Sequence, residues 1–247
     1  MKSQFALFLL MFTLGFSASA QKTCQLTRKI EALEGRIDTT LYQYDKKSGQ
    51  LKQVDRPSTE GGYYSEKYNY GLEVLNSMES RGFSFLYFHD DANRMIGFVD
   101  YDDLSVSHFY HTYDYDTEGK VVRFTTFETP FLEDTVVAEF SKFSYEGEKM
   151  VKQERFENYP DSNSAPSMTI LYEYTDKRNP EYNPLCFPKQ PKFLVAKEVH
   201  NDLDGIYEDF SHTRECTYNP EGYPLKCTLK YLDGSEKGTE EYSYKCK

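Results

Sequence analysis

The chain has 247 residues, with 29 Lys and Arg against 40 Asp and Glu, a formal net charge of −11. That balance argues against nucleic acid or an anionic membrane surface as partner, because both need a basic face. With 22 Tyr, 18 Phe and no Trp, rings outnumber Ile, Leu and Val beyond residue 20, which disfavours both a Leu/Ile/Val-filled α/β enzyme and a disordered chain, since disordered segments are poor in aromatics.

Residues 1–20 have the anatomy of a secretory signal peptide. Lys2 opens a short charged region, Phe5 to Phe16 is apolar, and Ser17-Ala18-Ser19-Ala20 places small residues where a signal peptidase reads, so cleavage is expected between Ala20 and Gln21. The apolar run is shorter than the roughly 20 residues a helix needs to cross a bilayer. No second long apolar stretch follows, so the reading has no membrane span in the mature chain. Cys24 follows Gln21-Lys22-Thr23, not the small apolar tripeptide of a lipid-attachment cysteine. The expected location is periplasmic or extracellular without a lipid anchor, and residues 21–247 are expected to form one continuous domain.

One pattern then recurs along the chain. Two aromatics stand at i and i+2, usually followed by an Asp-, Asn- or Gly-rich turn: Tyr42/Tyr44, Tyr68/Tyr70, Phe83/Phe85, Tyr113/Tyr115, Phe143/Tyr145, Tyr172/Tyr174 and Tyr242/Tyr244. In a strand these positions share a face. Tyr44-Asp45 to Leu51, Tyr115-Asp116 to Val121, Tyr145-Glu146-Gly147 to Met150 and Tyr218-Asn219-Pro220-Glu221-Gly222-Tyr223 read as the connecting turns, with Asp or Asn opening through side-chain-to-backbone bonds and Gly supplying positive φ. The fold class is therefore all-β: an antiparallel meander of repeated β-hairpins forming an elongated twisted sheet or partly closed ribbon with little helix. A compact sandwich is the alternative. Short helices are expected at Ile30–Leu33 and around Leu72, Leu75 and Met78. Proline-rich 158–166 and 179–191 read as exposed crossings. Open sheet edges would allow self-association.

There are five cysteines: Cys24, Cys186, Cys216, Cys227 and Cys246. An exported chain favours disulfides, and two bridges among five cysteines leave many pairings open. Opposed residues of an antiparallel hairpin have a constant index sum. For Cys216 and Cys227 that sum centres the turn on Glu221-Gly222. For Cys227 and Cys246 it centres on Glu236-Lys237. Cys216–Cys227 is the preferred disulfide candidate, with free buried thiols as the competing reading.

Other chemistry is sparse. His108 and His111 sit on opposite faces of a strand, and Asn201-Asp202-Leu203-Asp204-Gly205 lacks EF-hand ligands at its ends and reads as an Asp-Gly hairpin turn, so no metal site is expected. No nucleophile elbow, zinc-protease helix, phosphate loop or Cys-x-x-Cys occurs. No catalytic residue and no cofactor is assigned. The aromatic rows have two readings: packing across strands, the heavier, or an exposed platform for sugar faces or peptides. The expected function is a non-catalytic exported cell-envelope protein, a binding or scaffold module acting through a Tyr-rich sheet surface on an unidentified protein or glycan. A carbohydrate-active enzyme or its glycan-binding accessory is the alternative.

The turns resemble the Tyr-Asp (YD, RHS-type) repeat, with Tyr42 to Leu51 and Tyr113 to Val121 matching best. The C-terminal third is similar to an uncharacterised family of exported Bacteroidetes hairpin proteins through Tyr172-Glu173-Tyr174, Tyr218 to Pro224, Tyr231-Leu232-Asp233-Gly234-Ser235 and Tyr242-Ser243-Tyr244. The resemblance implies architecture and transfers no catalytic residue.

Overall fold

The computed structural model describes residues 24–58, 62–71, 74–101, 107–128, 136–157, 165–182, 191–203 and 205–246. The proposed cleavage site at Ala20 and Gln21, residues 1–20 and Cys186 lie outside them, as does the side chain of His108. The elements are β1 (Cys24–Leu33), β2 (Arg36–Tyr44), β3 (Leu51–Pro57), β4 (Tyr63–Gly71), β5 (Val74–Ser80), β6 (Phe83–His89), β7 (Met95–Tyr101), β8 (Ser107–Tyr115), β9 (Val121–Glu128), β10 (Val136–Glu146), β11 (Lys149–Glu157), β12 (Met168–Arg178), β13 (Phe193–Asp202), β14 (Gly205–Ile206), β15 (His212–Tyr218), β16 (Pro224–Lys230) and β17 (Glu236–Cys246).

Turn chemistry explains why the chain reverses where it does. The Asp45 carboxylate accepts the backbone N–H groups of Lys47 and Ser48, Asp90 those of Ala92 and Arg94, and Asp116 those of Glu118 and Lys120. Each acid thereby satisfies turn amides that no strand can reach. Gly119 then takes φ 81°, and Asn93 stands at φ 62° at the equivalent point of the Asp90 turn, a conformation Asn tolerates better than other side-chain-bearing residues.

Each long strand pairs antiparallel with its neighbour in the chain, and the last returns to the first. β1 and β17 are joined through nine register pairs from Cys24↔Cys246 to Leu33↔Gly238. The two-residue β14 is a side hairpin on β13, which continues the wall by pairing with β15. Sixteen described strands thus form a closed ring. An even count makes the first and last strands of a meander antiparallel, which lets them pair. Gly238 serves this seam directly: a Cβ there would lie 2.2 Å from the Ala32 carbonyl oxygen.

The chain is all-β and a meander, but the expected open or partly closed ribbon is corrected to a barrel. The hairpins were legible; their closure depends on pairing across more than 200 residues, which no local pattern encodes. Self-association through sheet edges is corrected too, because closure removes the edges of the wall. The exclusion of a membrane span rested on the lack of a long apolar segment. Among the described residues no helix is long and apolar enough to cross a membrane, yet a closed barrel is the architecture by which strands cross one, so that exclusion does not stand. Ile30–Leu33 is the end of strand β1, Leu75 and Met78 belong to β5, and Leu72 lies outside the described residues: short apolar runs fit either period, and cross-strand pairing decides.

Alternation sorts the side chains into two faces. Leu51, Val54, Tyr68, Leu75, Met95, Tyr113, Val121, Phe124, Phe143 and Met150 form one buried cluster, joined by half-buried rings that include Tyr42, Tyr87 and Tyr172. These residues come from β2 through β12 and meet inside the barrel. The outward face carries cross-strand ion pairs on its later strands, Lys197–Glu173 at 3.0 Å, Lys230–Glu215 at 2.7 Å and Lys226–Glu241 at 3.0 Å. An apolar row crosses the earlier ones in register, Leu86↔Val99↔Tyr110↔Phe127↔Val137.

Candidate functional site

The lumen concentrates the chemistry of this molecule. At the end bearing the Asp-Gly turns, one bond repeats. The Tyr115 hydroxyl donates to the Met95 carbonyl at 2.6 Å, Tyr145 to Val121 at 2.8 Å, Tyr174 to Met150 at 2.5 Å and Tyr244 to Pro224 at 2.8 Å. In each case the tyrosine preceding one hairpin's turn, or the last one of β17, reaches the start of a return strand beside it. That hydroxyl is hydrogen-bonded and the ring packs inward. Burial pushes the Tyr115 and Tyr145 phenols up to about 12. The tyrosine rows, whose heavier reading is packing, therefore line the interior as a girdle, and the Tyr-rich surface expected to bind a partner is not the exposed face. Period-2 spacing placed these rings on a shared face correctly; which face meets water is decided by closure.

Next to the girdle lies a buried charged group. Lys29 of β1 is 3.1 Å from Glu31, 3.1 Å from Glu181 and 3.2 Å from Glu240. Arg214 of β15 approaches Glu240 at 2.9 Å and donates to the Val195 carbonyl at 2.7 Å. Two phenols complete it: Tyr42 donates to Glu181 at 2.6 Å and Tyr242 to Glu240 at 2.9 Å. Glu181 comes from the connection after β12. Its own N–H bonds to Asn179, whose backbone and side-chain nitrogens donate to Lys192 and Pro191. A segment tied to the rim thus reaches across the lumen from β12 to β1 and β2.

Burial alone would raise the Glu240 carboxyl, but Lys29 and Arg214 outweigh it and hold the group at about 2. Burial opposes ionisation of Glu181 in the same way, and Lys29 with the Tyr42 hydroxyl brings it below the ordinary glutamate range. Lys29 moves upward despite its burial, because three carboxylates surround it. Lys29 and Arg214 each have a carboxylate partner, as buried charges require.

Toward the other end, Phe109, His111, Thr126, Ala138, Glu139 and Glu157 line a cavity of about 390 Å³. The His111 ring stacks on Phe98, 4.2 Å away, lies nearly parallel to Phe124 at 5.5 Å, and has its Nδ1 3.1 Å from the Thr126 hydroxyl. Glu139 is held by Arg155 Nε at 3.0 Å. Among the described residues no group of three or more His, Cys, Asp or Glu could hold a metal ion.

The cysteine candidates are placed as follows. Cys216 and Cys227 face one another in register and are bridged, their Cα atoms 4.1 Å apart. The strand irregularity falls between Thr217 and Tyr218, on the turn side of the pair, and so leaves the two on one face. A second bridge, Cys24–Cys246, spans 222 residues of sequence and staples the seam; this pairing was not singled out in the sequence. Lys29, Glu181, Arg214 and Glu240 were missed as well, for they form no motif. Parity carried a partial signal: Glu240 precedes Tyr242 and Tyr244 at steps of two, so it shares their inward face.

No family model and no curated protein matches the chain. Among solved structures it is similar to a porin-like protein from Bacteroides uniformis ATCC 8492, with 14% identity over 88% of this chain and 96% of that one and a TM-score of 0.61. It is also similar to a porin-like protein from Bacteroides vulgatus ATCC 8482, with 10% identity over 90% of this chain and 99% of that one and a TM-score of 0.49. The first likeness, at this identity, is one of fold. It corrects the resemblance to YD-repeat hairpin ribbons: the tyrosine-turn units are present, but they build the wall of a closed barrel.

Proposed function

We propose that the protein is a non-catalytic β-barrel of the cell envelope that acts as a scaffold or binding module and does not conduct solutes. The filled lumen carries this reading. A barrel of 16 strands ordinarily leaves an aqueous channel, whereas here Tyr68, Tyr113, Phe124 and Phe143 are buried in one cluster and Glu181 is latched to Lys29 and Tyr42. Two of the luminal carboxylates are unsuited to glycoside hydrolysis. Glu181 and Glu240 are both held below the ordinary range, while glycoside hydrolysis needs one carboxyl raised to serve as the acid.

The closed antiparallel wall and the likeness to a porin-like protein favour a second reading, a barrel seated in the outer membrane. On that reading the outward pairs Lys197–Glu173, Lys230–Glu215 and Lys226–Glu241 would have to lie outside the apolar band that such barrels present to lipid. Swelling of liposomes reconstituted with the purified protein tests the proposal. The proposal expects no faster swelling in sugar solutions than protein-free vesicles show. Size-dependent swelling would overturn it in favour of a pore.

A further inference from the structure

We propose that the cleft where the β8–β9 turn, the β10–β11 turn and the start of β13 meet at the rim is a binding site for a neutral, hydroxyl-rich ligand, a saccharide unit. The cleft has about 250 Å³, just below the usual range for ligand pockets, and is open at its mouth, so a single sugar ring can enter while the rest of a chain stays outside. Tyr145, Met150 and Tyr182 are among its lining residues. Tyr182 is 36% exposed and leaves ring surface uncovered.

The charges at the mouth select the ligand class. Lys192 contacts both Glu148 oxygens at 2.9 Å, and Lys120 binds Glu118 and lies over the Tyr145 ring, 5.8 Å from its centre. The two carboxylates and two ammonium groups that line the cleft balance, so the lining itself carries no net charge. Their alternation suits hydroxyls, each of which accepts from an ammonium and donates to a carboxylate. An aromatic face beside such groups matches a sugar ring, which carries apolar C–H on one side and hydroxyls at its edge. This site is on the rim and does not depend on whether the lumen conducts.

The test is saturation-transfer NMR on the full-length protein with maltotriose, cellotriose and mannotriose, and with trigalacturonate and a glucosamine trimer as charged counterparts. Binding of at least one neutral trisaccharide with a dissociation constant on the order of 1 mM, weakened about tenfold or more by Tyr182→Ala, is the expected result. Tyr182→Trp keeps a ring and supplies the chain's sole tryptophan, so its emission should shift on titration even if the alanine variant folds poorly. No transfer to any neutral trisaccharide, a preference for either charged trimer, or transfer undiminished by Tyr182→Ala in a folded variant would each overturn the proposal.

Discussion

Lys29 meets three carboxylates inside the barrel, and Glu240 is shared between Lys29 and Arg214. Removing one member of such a group strands the others. Glu240→Gln leaves Arg214 without its carboxylate and should cost about 3–5 kcal/mol, read from urea unfolding midpoints. The same residue sets an acid limit. Its folded value of about 2 lies below the ordinary 4.5, so its contribution is complete above 4.5, shrinks as pH falls, and is gone once pH passes below the folded value. Urea midpoints between these pH values should therefore fall steeply for the native protein and less steeply for Glu240→Gln. Equal slopes would remove Glu240 from the acid response. At this scale the sequence was partly legible. Parity with Tyr242 and Tyr244 marks Glu240 as inward, but nothing in the local sequence pairs it with Lys29, some 210 residues away, because that contact exists only once the seam closes.

The hairpin is the unit that could be read most fully. Asp45, Asp116 and Asn219 open turns by accepting backbone N–H groups, and Tyr115, Tyr145, Tyr174 and Tyr244 each bond to a carbonyl of a nearby return strand. Residue types and spacing specify such turns locally. The Cys216–Cys227 register was accessible for the same reason, since it belongs to one hairpin. Cys24–Cys246 was not, since it belongs to the pairing of the first strand with the last. The two bridges should differ in worth. Loop-closure entropy gives about 3 kcal/mol for the hairpin bridge and about 5 kcal/mol for the seam bridge as upper values. Paired serine substitutions, Cys216→Ser with Cys227→Ser against Cys24→Ser with Cys246→Ser, should lower stability in that order by urea unfolding under oxidising conditions. A larger loss from the hairpin pair would show that the seam is held by its nine backbone pairs alone.

Across the whole molecule, the inward turn of the aromatic rows is what the proposed function rests on. Rings spaced for one sheet face could have formed an exposed platform on an open ribbon; once the ring of strands closes, the same spacing fills the interior. Open and closed meanders share every local signal, so composition and turns could not separate them. The count and tilt of strands settle closure, and those emerge only from the complete set of registers. The central claim is that the ring-filled part of this interior is packed and closed to solvent. Tyrosine nitration with tetranitromethane, mapped by peptide mass spectrometry on the native protein, tests it directly. Tyr63 and Tyr207, 59% and 41% exposed, should react, and Tyr68, Tyr113 and Tyr242, at 4%, 7% and 6%, should be spared until the protein is unfolded. Nitration of Tyr68, Tyr113 and Tyr242 at the rate of Tyr63 in the folded protein would mean a lumen open to solvent and would contradict the account.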